Sequence, residues 1–227
     1  MTRAFHILGG FVRRERGAVL VELAVVLPIF LLIFLGIIDF GRLGYDVVTA
    51  EKAMQRAVRI AIVRPGACNG VPGAVAIPDT TSRDPGNSDP IAPRFGTACN
   101  QSGSICAQVA QSTCSLAQGI AVANPTAIEI WNSIDDLMPG KATAANVRIT
   151  YDDSAILGST SLRLGFLGGP YVPIVTAQVQ NLQFNFVTPI SGFVSMAGGT
   201  STFAQTVQFP ALSVSLPAED LAQGENG

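Results

Sequence analysis

The chain has 227 residues, of which 48 % are apolar and only 13 % charged, with a formal net charge of −2. That length holds a membrane anchor plus one domain of ordinary size. Residues 1–17 carry four arginines against Glu15, net +3, which leaves −5 for residues 18–227. A basic tip on a mildly acidic body argues against nucleic-acid binding, which needs its basic face on the folded domain.

Arg13, Arg14 and Arg16 precede Gly17. Ala18 to Ile38 then runs for 21 residues with Glu22 as its single charge and Pro28 as its single helix breaker. As a helix rising about 1.5 Å per residue it is roughly 31 Å long, enough to cross a hydrocarbon core of about 30 Å. A secretory signal would have a shorter apolar core followed by a small-x-small cleavage site. This run ends instead in Gly36-Ile37-Ile38-Asp39-Phe40-Gly41-Arg42. The expectation is a single transmembrane helix whose flanking Arg13, Arg14 and Arg16 keep residues 1–17 in the cytoplasm. Glu22 is the costly residue. A carboxylate at the bilayer centre costs about 2.5–3.5 kcal/mol, but four residues from Ala18 it lies only about 6 Å deep. It either touches headgroups or meets a positive group supplied by another chain.

A glycine closing a basic leader, an apolar run, and Glu22 as the fifth residue after that glycine resemble the processing site of type IV prepilins. The resemblance implies that a prepilin peptidase cuts between Gly17 and Ala18. It also implies that Glu22 sets subunit register by pairing with the freed amine of a neighbouring subunit. Low dielectric strengthens such a pair, and each group is costly there alone. Over Arg16-Gly17-Ala18-Val19-Leu20-Val21-Glu22-Leu23-Ala24-Val25-Val26-Leu27-Pro28, and again over Gly36 to Arg42, the sequence resembles the TadE-like family. These are pseudopilins of the tight-adherence (Tad, Flp) pilus system. The likeness covers about residues 14–62, and TadG-like relatives that share the opening are usually much longer than 227 residues. Its implied partners are the prepilin peptidase, other pilins and pseudopilins, and an inner-membrane platform with its cytoplasmic ATPase. Membrane lipid is a further partner, and nucleic acid is not.

Beyond the span, Val47, Ala50, Met54, Ala57, Val58 and Ala61 recur at helical spacing, opposite Asp46, Glu51, Lys52, Gln55, Arg56 and Arg59. The spacing predicts that residues 39–64 continue the helix as an amphipathic segment, ended by Arg64-Pro65-Gly66. Residues 65–93 hold six prolines and read as a linker, most turn-like at Thr80 to Asn87. Cys68, Cys99, Cys106 and Cys114 all follow the membrane segment, which suggests two disulfides in an oxidising periplasm. Four cysteines allow three pairings, and the spacing does not choose among them.

Residues 94–227 are expected to form a periplasmic domain. Asn124-Pro125 reads as a helix start, and Ile128, Trp131, Ile134, Leu137 and Met138 follow as its apolar face, with Trp131 in the core. Val147, Ile149 and Tyr151 alternate as a strand. Val175, Ala177 and Val179 alternate on one parity and Leu182, Phe184 and Phe186 on the other, so a bulge or bend is expected between them. Leu212, Val214 and Leu216 give a last strand before an acidic tail, and Gly165 to Gly169, Gly192, Gly198 and Gly199 mark loops. The predicted fold is α+β: a long amino-terminal helix, then a mainly antiparallel sheet with at least one packed helix.

The only histidine, His6, precedes the proposed cut, so a mature chain has none for Ser-His-Asp, Cys-His or HExxH chemistry. Asp135-Asp136 and Asp152-Asp153 are acidic pairs at element ends, where solvated turns are the commoner role. No enzyme activity, metal or cofactor is expected. The leading reading is a processed inner-membrane pseudopilin acting in pilus biogenesis. Its main rival is an uncleaved single-pass protein presenting a periplasmic or extracellular binding module. A second rival, a minor pseudopilin of a type II secretion machine, is disfavoured by Ile37-Ile38-Asp39-Phe40-Gly41-Arg42.

Overall fold

Between Pro28 and Pro65 no proline interrupts the chain, so nothing forbids one continuous helix. A computed structural model describes residues 15–76, 96–99, 106–107, 109–153, 164–186, 206–219 and 221, with side chains from Val19 onward. In it α1 runs over Glu15–Ala61, 47 residues and about 70 Å, with Pro28 inside. The Thr80 to Asn87 turn region, Gly192, Gly198 and Gly199 lie outside the described residues, whereas the acidic tail is described at its start, where Glu219 N–H donates to the Ile62 carbonyl and Leu221 is buried.

The chain divides into two units, Met1–Tyr45 with Gln183–Val207, and Asp46–Leu182 with Gln208–Gly227. The first holds the apolar part of α1 and the strand β4 (Gln183–Asn185), which pairs with β5 (Thr206–Gln208).

The second unit is built on a four-stranded antiparallel sheet of β1 (Ser112–Ser115), β2 (Val147–Asp152), β3 (Ile174–Val179) and β6 (Ser213–Pro217), in the order β1-β2-β3-β6. Alternation decides its faces. Val147, Ile149 and Tyr151 of β2 and Val175, Ala177 and Val179 of β3 are buried on one side. On the other, the register aligns Thr113, Thr150, Thr176 and Ser215 in one row across all four strands. The Thr113–Thr150 hydroxyl pair is 3.2 Å apart and Thr176–Ser215 2.8 Å, so this face is polar but uncharged along that row.

Two helices join this sheet. Ser115 opens α2 (Leu116–Ala121) with reciprocal bonds: its Oγ accepts from Gln118 N–H, and Gln118 Oε1 accepts from Ser115 N–H. Asn124 opens α3 (Pro125–Ile134), its Oδ1 accepting from Ala127 N–H while its Nδ2 donates to the Gly66 carbonyl. A short 3-10 turn, Asp135–Leu137, follows. Gly119 is required at the α2–α3 contact. A Cβ there would sit 2.5 Å from Ala127 Cβ and 2.9 Å from the Ala67 carbonyl oxygen.

That close approach corrects the predicted face of α3. Ile134 and Met138 are buried as expected and Ala127 and Ile130 join them, whereas Ile128 is exposed and Trp131 only half-buried. Of the bulge or bend expected at the change of parity after Val179, the structure shows the bend. The chain leaves β3 at Gln180, turns at Asn181 with a left-handed φ of 52°, and β4 enters a separate two-stranded sheet. Asparagine is one of the few side chains that tolerates this conformation.

The start of the proline-rich stretch is tied into this unit. Cys68 is bonded to Cys114, Tyr171 N–H donates to the Gly73 carbonyl, and Ala74 bridges Pro170. Cys99 is bonded to Cys106, and the pair is buried with Leu167. The structure thus selects one of the three possible cysteine pairings.

Candidate functional site: the exposed half of helix α1

From Val19 to Ile38 nearly every position of α1 is apolar, so apolar side chains point in all directions around the axis. Val19 and Leu20 are 63 % and 68 % exposed, and Val25, Phe30 and Ile37 are exposed likewise. The rings of Phe30 and Phe34 stack at 5.9 Å along the helix surface. A helix apolar all round has no polar face to give to water, so its surroundings must be lipid or other apolar chains. Among the described residues it is the one helix long and apolar enough to cross a membrane, and its apolar window is wholly unburied.

Glu22 lies on this surface, exposed and with no ion pair among the described residues. Arg16, Gly17 and Ala18 belong to the helical backbone of α1, while Arg13 and Arg14 lie outside the described residues. The rise from Ala18 to Glu22 is about 6 Å, little more than one helical turn.

The far end of the apolar run holds a cluster that sequence reasoning did not assemble. Asp39 is 1 % exposed and accepts from Arg42 Nη1 at 3.4 Å. The Arg42 guanidinium lies 5.7 Å from the ring centroid of Phe184. Phe184 meets Phe186 edge-on at 5.4 Å, and Phe186 meets Phe40 at 5.8 Å. The i,i+3 spacing of Asp39 and Arg42 was legible; their aromatic partners lie more than 140 residues away along the chain.

Past Tyr45 the helix changes character. Ala50, Ala53, Met54, Ala57, Val58 and Ala61 are completely buried, while Glu51, Lys52, Gln55, Arg56 and Arg59 stay exposed. Ala53 joins the stripe predicted from spacing. Just beyond, Arg64 makes a forked pair with Glu129 of α3, with contacts of 3.1 and 3.2 Å. The hydrogen bond and charge of Glu129 raise the Arg64 pKa above its ordinary value. Ala67 N–H donates to the buried Tyr151 hydroxyl at 3.0 Å. Burial pushes the Tyr151 pKa up to about 12, with the Ala67 N–H pulling weakly the other way. The Cys68–Cys114 bond lines an open depression of about 420 Å³ together with Asn69, Thr113 and Gln118.

Residues 17–59 match the model of the family described as TadE-like protein. The match lies entirely within α1, from Gly17 to its last turn at Arg59. No curated protein and no solved structure matches the chain.

Proposed function

We propose that this chain is a pseudopilin of the Tad/Flp type, cut after Gly17 by a prepilin peptidase and recruited from the inner membrane into pilus biogenesis. One coincidence carries the reading. The TadE-like match opens on Gly17, the residue at which a cluster of arginines gives way to a helix exposed and apolar on all sides. Arg13, Arg14 and Arg16 hold the leader in the cytoplasm. The sheet-bearing unit, with its two disulfides, then lies in the oxidising periplasm.

The physical chemistry of such a helix suits transfer from lipid to a fibre. Lipid tails are as apolar as leucine, so exchanging them for neighbouring apolar helices costs little hydrophobic free energy. Charge then supplies what apolar packing lacks, a register. Cleavage frees an amine at Ala18, and Glu22 of a neighbouring chain pairs with it. A slip along the axis would leave both charges unpaired in an apolar bundle, where each is costly. The peptidase, the assembly platform with its ATPase and the other pilins are the partners this sequence of events requires.

The amino terminus of the protein purified from its native membrane tests the reading, by intact mass and terminal peptide sequencing. A chain beginning at Ala18 is the expected result. A chain that retains Arg13 to Gly17 overturns it and leaves an uncleaved single-pass anchor presenting a binding module.

A further inference from the structure

Resting on the reading that α1 spans the bilayer, we infer that Phe40, Phe186 and Arg42, packed on the buried ring of Phe184, form a second membrane contact. They would sit in the headgroup and glycerol layer on the far side of the span. All four residues lie in one unit, and their mutual contacts are those of a single cluster.

Depth is the first argument. If Ala18 to Ile38 fills the hydrocarbon core, Phe40 and Arg42 lie only about 3–6 Å farther along the helix axis. The headgroup region on each face of a bilayer is about 5–7 Å thick. The second argument is exposure. Phe40 is 64 % exposed although Phe186 touches it, so water would leave most of a large apolar ring unburied. Aromatic rings are favoured at the lipid–water boundary, where an apolar body meets a wet edge.

Charge is the third argument. Asp39 is buried and paired with Arg42, so the cluster carries no uncompensated carboxylate toward anionic lipid. The Arg42 side chain is still 48 % exposed, leaving guanidinium N–H groups free of the ring to reach phosphate oxygens. Leu164 to Ala218 is a run of 55 residues without one Asp, Glu, Lys or Arg, where about seven would be expected from the 13 % in the whole chain. It covers β3 and β6 as well as β4 and β5, so the strand pair brings no charge to the cluster and none that would repel anionic lipid.

Tryptophan fluorescence in brominated lipid tests this. Trp131 is the sole tryptophan, so Trp131→Phe gives a dark full-length background. Phe186→Trp, Phe40→Trp and Val25→Trp are introduced singly and reconstituted in phosphatidylcholine–phosphatidylglycerol vesicles brominated at shallow or deep acyl positions. Phe40 occupies an exposed helix position, so that variant keeps the test readable if Phe186→Trp misfolds. Tryptophan at 40 and at 186 should lose about half its emission to the shallow bromines and much less to the deep ones, as expected for an interfacial aromatic. Tryptophan at 25 should show the reverse order. Quenching at 25 with none at 40 or 186 overturns the inference while leaving the span intact. A blue-shifted, unquenched signal would then mean cover by a second copy, and a red-shifted one exposure to water. An unquenched tryptophan at 25 overturns the spanning reading, and the inference with it.

Discussion

Helix α1 carries apolar side chains along its whole length but disposes of them in two ways. From Val19 to Ile38 they surround the axis and are exposed; from Ala50 to Ala61 they form one stripe at 0 % exposure beside an exposed charged face. Composition separates the halves in charge, with Glu22 alone between Val19 and Ile38 against Glu51, Lys52, Arg56 and Arg59 between Ala50 and Ala61. The width of the apolar arc says what each half faces. A stripe marks a helix laid on a protein core, and a closed ring marks one with no aqueous face at all. The TadE-like match runs over both halves, from Gly17 to Arg59.

The disulfides offer the largest test, because staples should matter only to the unit that folds against the stripe. Cys68–Cys114 closes 46 residues and Cys99–Cys106 closes 7. Chain entropy assigns them about 4 and about 2.4 kcal/mol. Replacing each pair by alanines should lower the denaturant midpoint of the second unit in that order. Equal effects would mean that strain or residual unfolded structure outweighs loop closure.

Truncation separates the halves directly. Met54→Ala removes a fully buried side chain and should cost about 2–5 kcal/mol in the unfolding of this unit. Leu31→Ala removes a partly exposed one, and should change the same transition by no more than about 0.5 kcal/mol. A comparable loss from Leu31→Ala would break the comparison, since it would mean that the first half is held by the same core.

Tyr151 reports on the stripe-bearing unit through pH. Its hydroxyl titrates at about 12 in the fold, raised from an ordinary 10.0 by burial. Between those values the native state keeps a proton that the unfolded chain releases. The associated stability is therefore complete below pH 10 and is lost as pH rises toward about 12. The loss amounts to about 2–3 kcal/mol. Tyr151→Phe should remove this slope when compared with the parent chain. It should also cost about 1–3 kcal/mol at neutral pH, because the Ala67 N–H loses its acceptor.

Much of this architecture was legible in the sequence. The span needs only uninterrupted apolar length, and β2, β3 and β6 announce themselves by alternation. Asn124-Pro125 marks α3 because a cap and a proline act locally. What was not legible depends on partners distant in sequence. Ser112–Ser115 has no apolar alternation and becomes β1 by pairing with β2 at the sheet edge. The α3 face is turned by Gly119, which no periodicity within α3 can reveal. The helix α2 did carry a readable signal, the Ser115-x-x-Gln118 capping box, although Gly119 inside it weakens a propensity reading. The aromatic cluster at Asp39 and Arg42 joins residues more than 140 positions apart, so only the fold assembles it.

The smallest expected effect belongs to Arg64 and Glu129, the forked pair just past the buried stripe. Its geometry is good, but both side chains are more than two-fifths exposed, so water and salt screen the attraction. Arg64→Ala and Glu129→Ala should each shift the melting of the second unit only slightly, and the double variant should show little coupling beyond the singles. What coupling there is should fade as ionic strength rises. A large, salt-resistant coupling would mean that the junction between α1 and α3 is fixed by this pair rather than by Asn124, Gly66 and the Cys68–Cys114 bond. The buried stripe would then depend on an exposed latch, and the contrast between the two halves of α1 would rest on electrostatics instead of packing.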